Sequence, residues 1–227
     1  MRQDPPFDMQ YITATYILEI IKNKTLIVND PFWVRNSTEK FFPMDFPELI
    51  PPTIVTSNVQ DLADFRKEYK DIVIKPLYSF GGFGMFHVPK EDRNFYSIIE
   101  TLSAHYKTPL IAQKYLPDVR KGDKRFIFAD GELVGYFARV PDEKENRTGL
   151  RTGSKKMKIK PTKRDMEICK TLKPELKKRG MIIVGIDVIG DYLTEINVTS
   201  PTGFIQTNEL CNVNCEKIIW DKIEQKL

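Results

Sequence analysis

Hydrophobic periodicity divides this chain into short strands and a few helices. Residues 8–23, D-M-Q-Y-I-T-A-T-Y-I-L-E-I-I-K-N, read as a helix with Asp8 at the N-cap, and Leu26–Val28 as a short strand after it. Prolines between Pro31 and Pro52 break the pattern and leave room for one short helix near 36–42. T-I-V-T (53–56) is a strand, Asn58 caps a helix to about Tyr69, and D-I-V-I-K-P (71–76) is a buried strand entering a glycine loop. Met85–Val88 is the return strand, 92–106 a further helix, and 109–114 and 124–129 two further strands. Asp130-Gly131 signals a two-residue hairpin turn with E-L-V-G-Y-F-A-R as its second arm. A polar stretch without apolar period (141–161), a helix (163–179) stopped by Gly180, a strand (181–189) and a last helix near 214–226 complete the chain. The pattern implies an α+β fold with mainly antiparallel strands.

One strand carries more than a wet face requires. Alternation over L-T-E-I-N-V places Leu193, Glu195 and Asn197 on one side and Thr194, Ile196 and Val198 on the other. If Asp187 on the preceding strand is to share a ligand with Glu195, the two must leave the same face, because directly opposed residues do. A two-residue turn at Gly190-Asp191 would oppose Asp187 to Thr194. The expected connection is therefore odd, three residues from Gly190 to Tyr192, which opposes Ile189 to Leu193 and Asp187 to Glu195.

Composition narrows the function classes. With 227 residues, 41% hydrophobic and 29% charged, the chain has the make-up of an ordinary globular protein. The most apolar run, Met181–Val188, is short and interrupted by Asp187, and the N-terminus shows no apolar h-region, so the expected location is the cytoplasm without membrane contact. Cys169, Cys211 and Cys215 are odd in number; they read as idle thiols, the last two at a spacing that fits one helix face. Only His87 and His105 occur, which disfavours a histidine base or a multi-histidine zinc site. The net charge of +4 concentrates in K-K-M-K-I-K (155–160), Lys163 and Arg164; without aromatic residues among the charges this reads as a solvated loop, not a nucleic-acid surface.

Three groups of residues suggest chemistry. Y-S-F-G-G-F-G-M (78–85) lies between two strands with Lys75 ahead of it. A P-loop would put its lysine after the glycines and run into a helix, so this order fits a hairpin flap over phosphates, or a plain hairpin turn. Arg125, Arg139 and Arg147 offer planar forks for carboxylate or phosphate, though each fits an ordinary surface site as well. Asp187, Glu195 and Asn197 are hard oxygen donors suited to Mg²⁺ or Mn²⁺ shared with phosphates, unless they are simply the polar side of a sheet.

R-Q-D-P-P-F-D-M-Q-Y-I, G-D-K-R, A-R-V-P and G-I-D-V-I-G-D-Y-L-T-E-I-N-V-T-S-P-T together resemble the bacterial glutathione synthetases, of the ATP-grasp ligase family, and the likeness runs through essentially the whole chain. The resemblance implies two α/β subdomains with mainly antiparallel sheets clasping ATP, and ATP-dependent joining of γ-glutamylcysteine to glycine through an acyl phosphate. It implies that Lys40 and Lys75 hold ATP phosphates under a flap of Tyr78, Ser79, Phe80, Gly81, Gly82, Phe83 and Gly84. Gln113, Tyr115 and Leu116 would line the adenine pocket with Asp123 nearby. Asp187, Glu195 and Asn197 would hold Mg²⁺ or Mn²⁺. Thr199, Ser200, Pro201, Thr202 and Gly153 would edge the substrate site, and Arg125, Arg139 and Arg147 would serve catalysis. The implied division is 1–35 as a remnant linking to the family's N-terminal domain, expected to be missing, then 36–117 as the small subdomain and 118–227 as the C-terminal subdomain. The resemblance leaves room for a homo-oligomer. The loop after A-R-V-P, D-E-K-E-N-R-T-G, departs from the family in having Gly149 where Asn is usual, and Ser154 replaces a second glycine after Gly153. Its low apolar content suggests a loop, 141–153, that is mobile without ligand and orders over the acyl phosphate. A different acceptor, or nucleotide binding without turnover, are the competing readings.

Overall fold

The computed structural model describes residues 1, 3–145, 147–149 and 152–227. Arg2 of the R-Q-D-P-P motif and residues 146, 150 and 151 of the expected mobile loop lie outside the described residues. Two antiparallel sheets organise the chain. The first has the order β1-β4-β2-β3, built from Thr53–Thr56 (β1), Ile72–Pro76 (β2), Phe86–Val88 (β3) and Leu110–Lys114 (β4). The second has the order β7-β6-β5-β8-β9, built from Asp123–Ala129 (β5), Glu132–Val140 (β6), Lys155–Met157 (β7), Ile183–Ile189 (β8) and Tyr192–Asn197 (β9).

Each sheet has one apolar face covered by helices. Helices α3 (Val59–Tyr69) and α4 (Phe95–Tyr106) set Leu62, Phe65, Phe95, Ile99 and Leu102 against Ile72, Ile74, Val88, Leu110 and Ala112. Alternation then turns Val73, Lys75, His87 and Gln113 to the opposite face. The ladder registers align Thr53, Gln113, Val73 and His87 in one row across all four strands. In the second sheet, α5 (Lys163–Lys178) and the 42–49 segment cover Phe126, Phe128, Val184, Ile186, Val188, Leu193, Ile196 and Val198. A capping box of Thr162 and Asp165 starts α5, and Gly180 at φ +61 lies just past its end. The other face carries the row Phe137–Arg125–Asp187–Glu195 across β6, β5, β8 and β9.

Asp187 opposes Glu195 as expected, but the route differs. The two-residue turn at Gly190-Asp191 is kept, with Gly190 at φ +57, so Ile189 opposes Tyr192 and Val188 opposes Leu193. The ladder then shifts, and Thr194 is the extra residue of a β-bulge that brings Glu195 opposite Asp187. Thr194 Oγ1 donates to the Asp187 carbonyl at 3.1 Å. The bulge also corrects the face assignment. Leu193 joins Ile196 and Val198 in the core, fully buried, while Glu195 and Asn197 keep the polar face.

Other departures have local causes. The helix expected near 36–42 lies earlier, at Pro31–Asn36 (α2), because Pro31 occupies the first turn and Asp30 accepts from the Trp33 amide at 3.2 Å. Leu26–Val28 is not a strand. The outer edge of β9 is already met by the carbonyls of Glu39 and Leu49, and the Asn29 side chain pins this segment to Ile183 and Val198. The charged 155–160 run contains the edge strand β7, where lysines guard an open edge. Helix α1 (Met9–Ile21) is capped by Asp8, and the last helix, α7 (Cys215–Glu224), by Asn214. Phe204–Cys211 forms an additional helix, α6, so Cys211 and Cys215 end one helix and begin another instead of sharing a face. No helix among the described residues is long and apolar enough to cross a membrane.

Helix α6 lies close on β6. A Cβ on Gly135 would come within 2.4 Å of Thr207 Cγ2 and 3.3 Å of Cys211 Sγ. Gly135→Ala should therefore lift α6 and cost roughly 1–3 kcal/mol, read as a lower urea midpoint at unchanged m-value.

Candidate functional site

The polar face of the second sheet concentrates charge in two adjacent rows. Asp187 is buried at 3% exposure and grips Arg125 through two hydrogen bonds, from Nε at 2.5 Å and Nη2 at 2.7 Å. Arg139 joins Asp187 at 2.8 Å, and Asn197 Nδ2 donates to the same carboxylate at 3.2 Å. Burial alone pushes the Asp187 carboxyl up, but the two guanidiniums outweigh it and hold the group at about 2. In the next row Arg139 donates to Asp123 at 2.5 Å. Burial dominates there, and Asp123 is pushed up to about 6 against the pull of Arg139.

Across from these lie the lysines of the first sheet and its approach. Lys75, on the uncovered face of β2, is buried; burial lowers its pKa while the charges of Glu195, Asp123 and Asp187 act to raise it. Lys40 is also buried and donates to the Ser79 carbonyl at the start of the flap. The flap, 78–85, turns on Gly81, Gly82 and Gly84, all at positive φ where a Cβ is disfavoured. A Cβ on Gly84 would also meet Pro76 Cγ at 2.8 Å, so glycine there sets how closely the flap folds back on its strand.

The structure thus brings together Lys40, Lys75, Asp123, Arg125, Arg139, Asp187, Glu195 and Asn197. Thr202 joins through its carbonyl, which accepts from Arg125 Nη1 at 3.0 Å. Pro201 lies near Gly185, within 3.4 Å of where its Cβ would stand. Gln113 faces the cleft side of its sheet and donates to Thr53 Oγ1 at 3.0 Å. Tyr115 stacks on His87 with ring centroids 3.8 Å apart. Leu116 begins the short 3₁₀ turn that follows. Arg147 stands apart from the other two arginines: it pairs with Glu145 at 2.6 Å and lies over Gly82 of the flap. Thr148 Oγ1 donates to Asp123 at 2.6 Å, tying the 141–149 loop to the charged face. Gly153, at φ +83, stands in open space.

Two residues of the site escape sequence reasoning. Glu39 accepts from Thr199 Oγ1 at 2.8 Å, and its carboxyl is pushed up by burial and by the charge of Glu195. Tyr11, buried, donates its hydroxyl to the Thr199 carbonyl at 3.2 Å. Glu39 precedes a lysine in an otherwise unremarkable N-S-T-E-K stretch, and Tyr11 looks like an ordinary core residue of a helix. Neither carries a sequence signal.

The donor set fits a hard cation. Asp187 and Glu195 oppose one another, Asn197 extends the same face one row on, and all offer oxygen. Among the described residues no cluster of three or more His, Cys, Asp or Glu forms a metal site, and the Asp187 carboxylate is taken up by Arg125, Arg139 and the Asn197 amide nitrogen.

The chain is similar to known proteins along its whole length. Residues 39–212 match the family model described as prokaryotic glutathione synthetase, ATP-grasp domain, and residues 1–35 match that of the N-terminal domain. The chain is 52% identical over 226 residues to the glutathione synthetase of Brucella melitensis and 51% identical to that of Agrobacterium fabrum. It covers 72% and 71% of those proteins. Among solved structures, D-cycloserine synthetase DcsG superposes with a TM-score of 0.71 at 14% identity, over 96% of this chain and 79% of that one. The ATP-grasp ligase PsnB, solved with a phosphomimetic precursor variant, Mg and ADP, superposes with a TM-score of 0.69 at 19% identity, over 95% and 68%.

The charged row carries a pH signature. Asp187 sits below its ordinary value, so its contribution to stability is full above about pH 4 and is lost as pH falls toward about 2. Asp187→Asn should flatten acid unfolding in that window. It should also lower stability at neutral pH by roughly 3–5 kcal/mol, because Arg125 is left buried without its partner.

Proposed function

The chain belongs to the prokaryotic glutathione synthetases, ATP-grasp ligases that make glutathione, and from that premise we propose how its charged cleft carries out the reaction. ATP lies between the two sheets, which correspond to subdomains 36–117 and 118–227. Gln113, Tyr115 and Leu116 receive the adenine, with Asp123 nearby. Lys40 and Lys75 take the phosphates, and the flap from Tyr78 to Gly84 closes over them. Its positive-φ glycines let backbone amides approach the anion. Asp187, Glu195 and Asn197 would hold Mg²⁺ or Mn²⁺. When bound, the cation neutralises phosphate charge and orients the γ-phosphoryl group.

The reaction has two steps. The carboxylate of γ-glutamylcysteine attacks the γ-phosphorus of ATP, forming an acyl phosphate and releasing ADP. The amine of glycine then attacks the acyl carbon; the C–N bond forms, phosphate leaves, and the amine gives up its proton. Arg125 and Arg139 present fixed positive donors toward the developing oxyanion. Asp187 holds both guanidiniums in place, so the donors are oriented before substrate arrives. Thr199, Ser200, Pro201, Thr202 and Gly153 edge the substrate site. Arg147, outside the charged row, acts from the loop, where its packing on Gly82 links loop and flap. The three cysteines are unpaired, in keeping with a cytoplasmic enzyme.

The observation that carries this reading is the row Phe137–Arg125–Asp187–Glu195, which sets an arginine fork beside an oxygen donor pair with two buried lysines within electrostatic reach. The same set speaks against a module that binds nucleotide without turnover, because such a concentration of buried charge is costly unless used. The direct test is release of phosphate from ATP with γ-glutamylcysteine, measured with and without glycine, and glutathione identified by mass. Glutathione formation that requires both substrates is expected; ATP turnover indifferent to glycine would point to another acceptor.

Two further outcomes are expected. Glu195→Gln and Asn197→Ala should each lower kcat by more than about a hundredfold while the protein stays folded. Undiminished turnover in both variants would remove the metal site. Hydrogen exchange in the 141–153 loop should slow when ATP and γ-glutamylcysteine are added together, as the loop orders over the acyl phosphate and excludes water.

A further inference from the structure

We propose that Glu39 receives the ammonium group of the amine acceptor and holds its nitrogen beside the acyl phosphate, which the nitrogen attacks once a proton has left it. This rests on the ligase reading above and assigns a binding residue within it. A small cavity of about 30 Å³ opens between the N-terminal segment and the flap, walled by the rings of Phe7, Tyr11 and Tyr78 and lined by Glu39, Lys40 and Thr199. Phe7 stacks on Tyr78 with centroids 6.3 Å apart and packs on Tyr11 at 5.0 Å. Lys40 gives its ammonium to the Ser79 carbonyl.

Glu39 takes one side-chain hydrogen bond, from Thr199 Oγ1 at 2.8 Å, and among the described residues it enters no ion pair. That contrasts with Asp187, which has two arginines. Lys40 and Arg125 act on Glu39 only from a distance; a carboxylate held partly out of water without a contacting cation is costly, and the aromatic faces beside it attract positive charge. Carboxylate and rings together make a receptor for an ammonium ion, to which a charge-assisted hydrogen bond gives strength and direction.

Position supports the assignment. The Glu39 carbonyl accepts from the amide of Ile196, which lies between Glu195 and Asn197. Thr199, which holds the Glu39 carboxylate, opens the loop proposed to edge the substrate. The Thr199 carbonyl in turn accepts from Tyr11, so helix α1 fixes the far wall of the same cavity. An amine bound there lies next to the place where the acyl phosphate forms.

The test compares wild type, Glu39→Gln and Glu39→Asp, each checked for folding by thermal unfolding. The readouts are KM for glycine, KM for ATP, the divalent-cation requirement, and hydroxamate formation from γ-glutamylcysteine with hydroxylamine. Hydroxylamine is neutral at mildly alkaline pH and needs no ammonium receptor. Glu39→Gln should raise the glycine KM by at least about tenfold, the loss expected for a charged hydrogen bond, with ATP KM and cation requirement within about twofold. Hydroxamate formation should fall by less than about threefold, and Glu39→Asp should recover part of the glycine affinity. An unchanged glycine KM overturns the proposal. So does a parallel loss with hydroxylamine, or a shift in cation requirement, since these mark a site-wide or metal role. If Glu39→Gln does not fold, Glu39→Asp is judged alone by the same criteria. Should wild type itself make no glutathione, the ligase reading fails and this assignment falls with it, whereas a change in glycine KM alone bears on Glu39 only.

Discussion

The paired fork between Arg125 and Asp187 is the interaction on which the site depends. Both groups are buried, they meet through two hydrogen bonds, and they stand opposite one another on β5 and β8. A pair so deeply buried gives back in attraction much of what desolvation costs, so its net stability is small. Its consequence is geometric. Asp187 also takes Arg139 and Asn197, which fixes three side chains from three strands around one carboxylate.

Charge around that carboxylate is ordered by distance from solvent and by partner. Two guanidiniums keep Asp187 ionised to about pH 2, whereas burial wins at Asp123 and lifts it to about 6. Two acids of one cluster are therefore driven in opposite directions by the balance of desolvation and attraction. Asp123 also accepts from Thr148, which attaches the loop after β6 to the charged face. Arg147 packs on Gly82, so the same loop touches the flap of the first sheet. The loop and the flap thus meet above a cleft whose floor is set by the second sheet.

Much of this was legible because local signals and tertiary structure agree. Asp8, Asn58 and Thr162 cap their helices as their side chains and positions suggest. Asp130 and Gly131 both take positive φ in the turn that their dipeptide announces. The strands at 53–56 and 72–76 and the glycine flap follow from apolar runs and glycine content. Helix α6 and strand β7 were missed because the first has no capping side chain and the second is a three-residue edge made of lysines and a methionine. Glu39 was missed because nothing local distinguishes it; only Thr199, 160 positions away, and the cavity give it a role.

The hairpin of β8 and β9 separates what each level decided. The sequence by itself determined that Asp187, Glu195 and Asn197 lie on strands, that a tight turn joins those strands, and that the residues are all oxygen donors. It also supplied the resemblance that names the family. It did not determine the register, because strict alternation puts Leu193 beside Glu195, while the turn alone would oppose Asp187 to Thr194. The tertiary structure resolved both through one bulge at Thr194. The apolar core under α5 draws in Leu193 together with Ile196 and Val198, and residues of opposite parity on the two sides of Glu195 cannot share the core face unless the strand gains a residue between them. That requirement comes from packing against residues far along the chain, so no local pattern contains it.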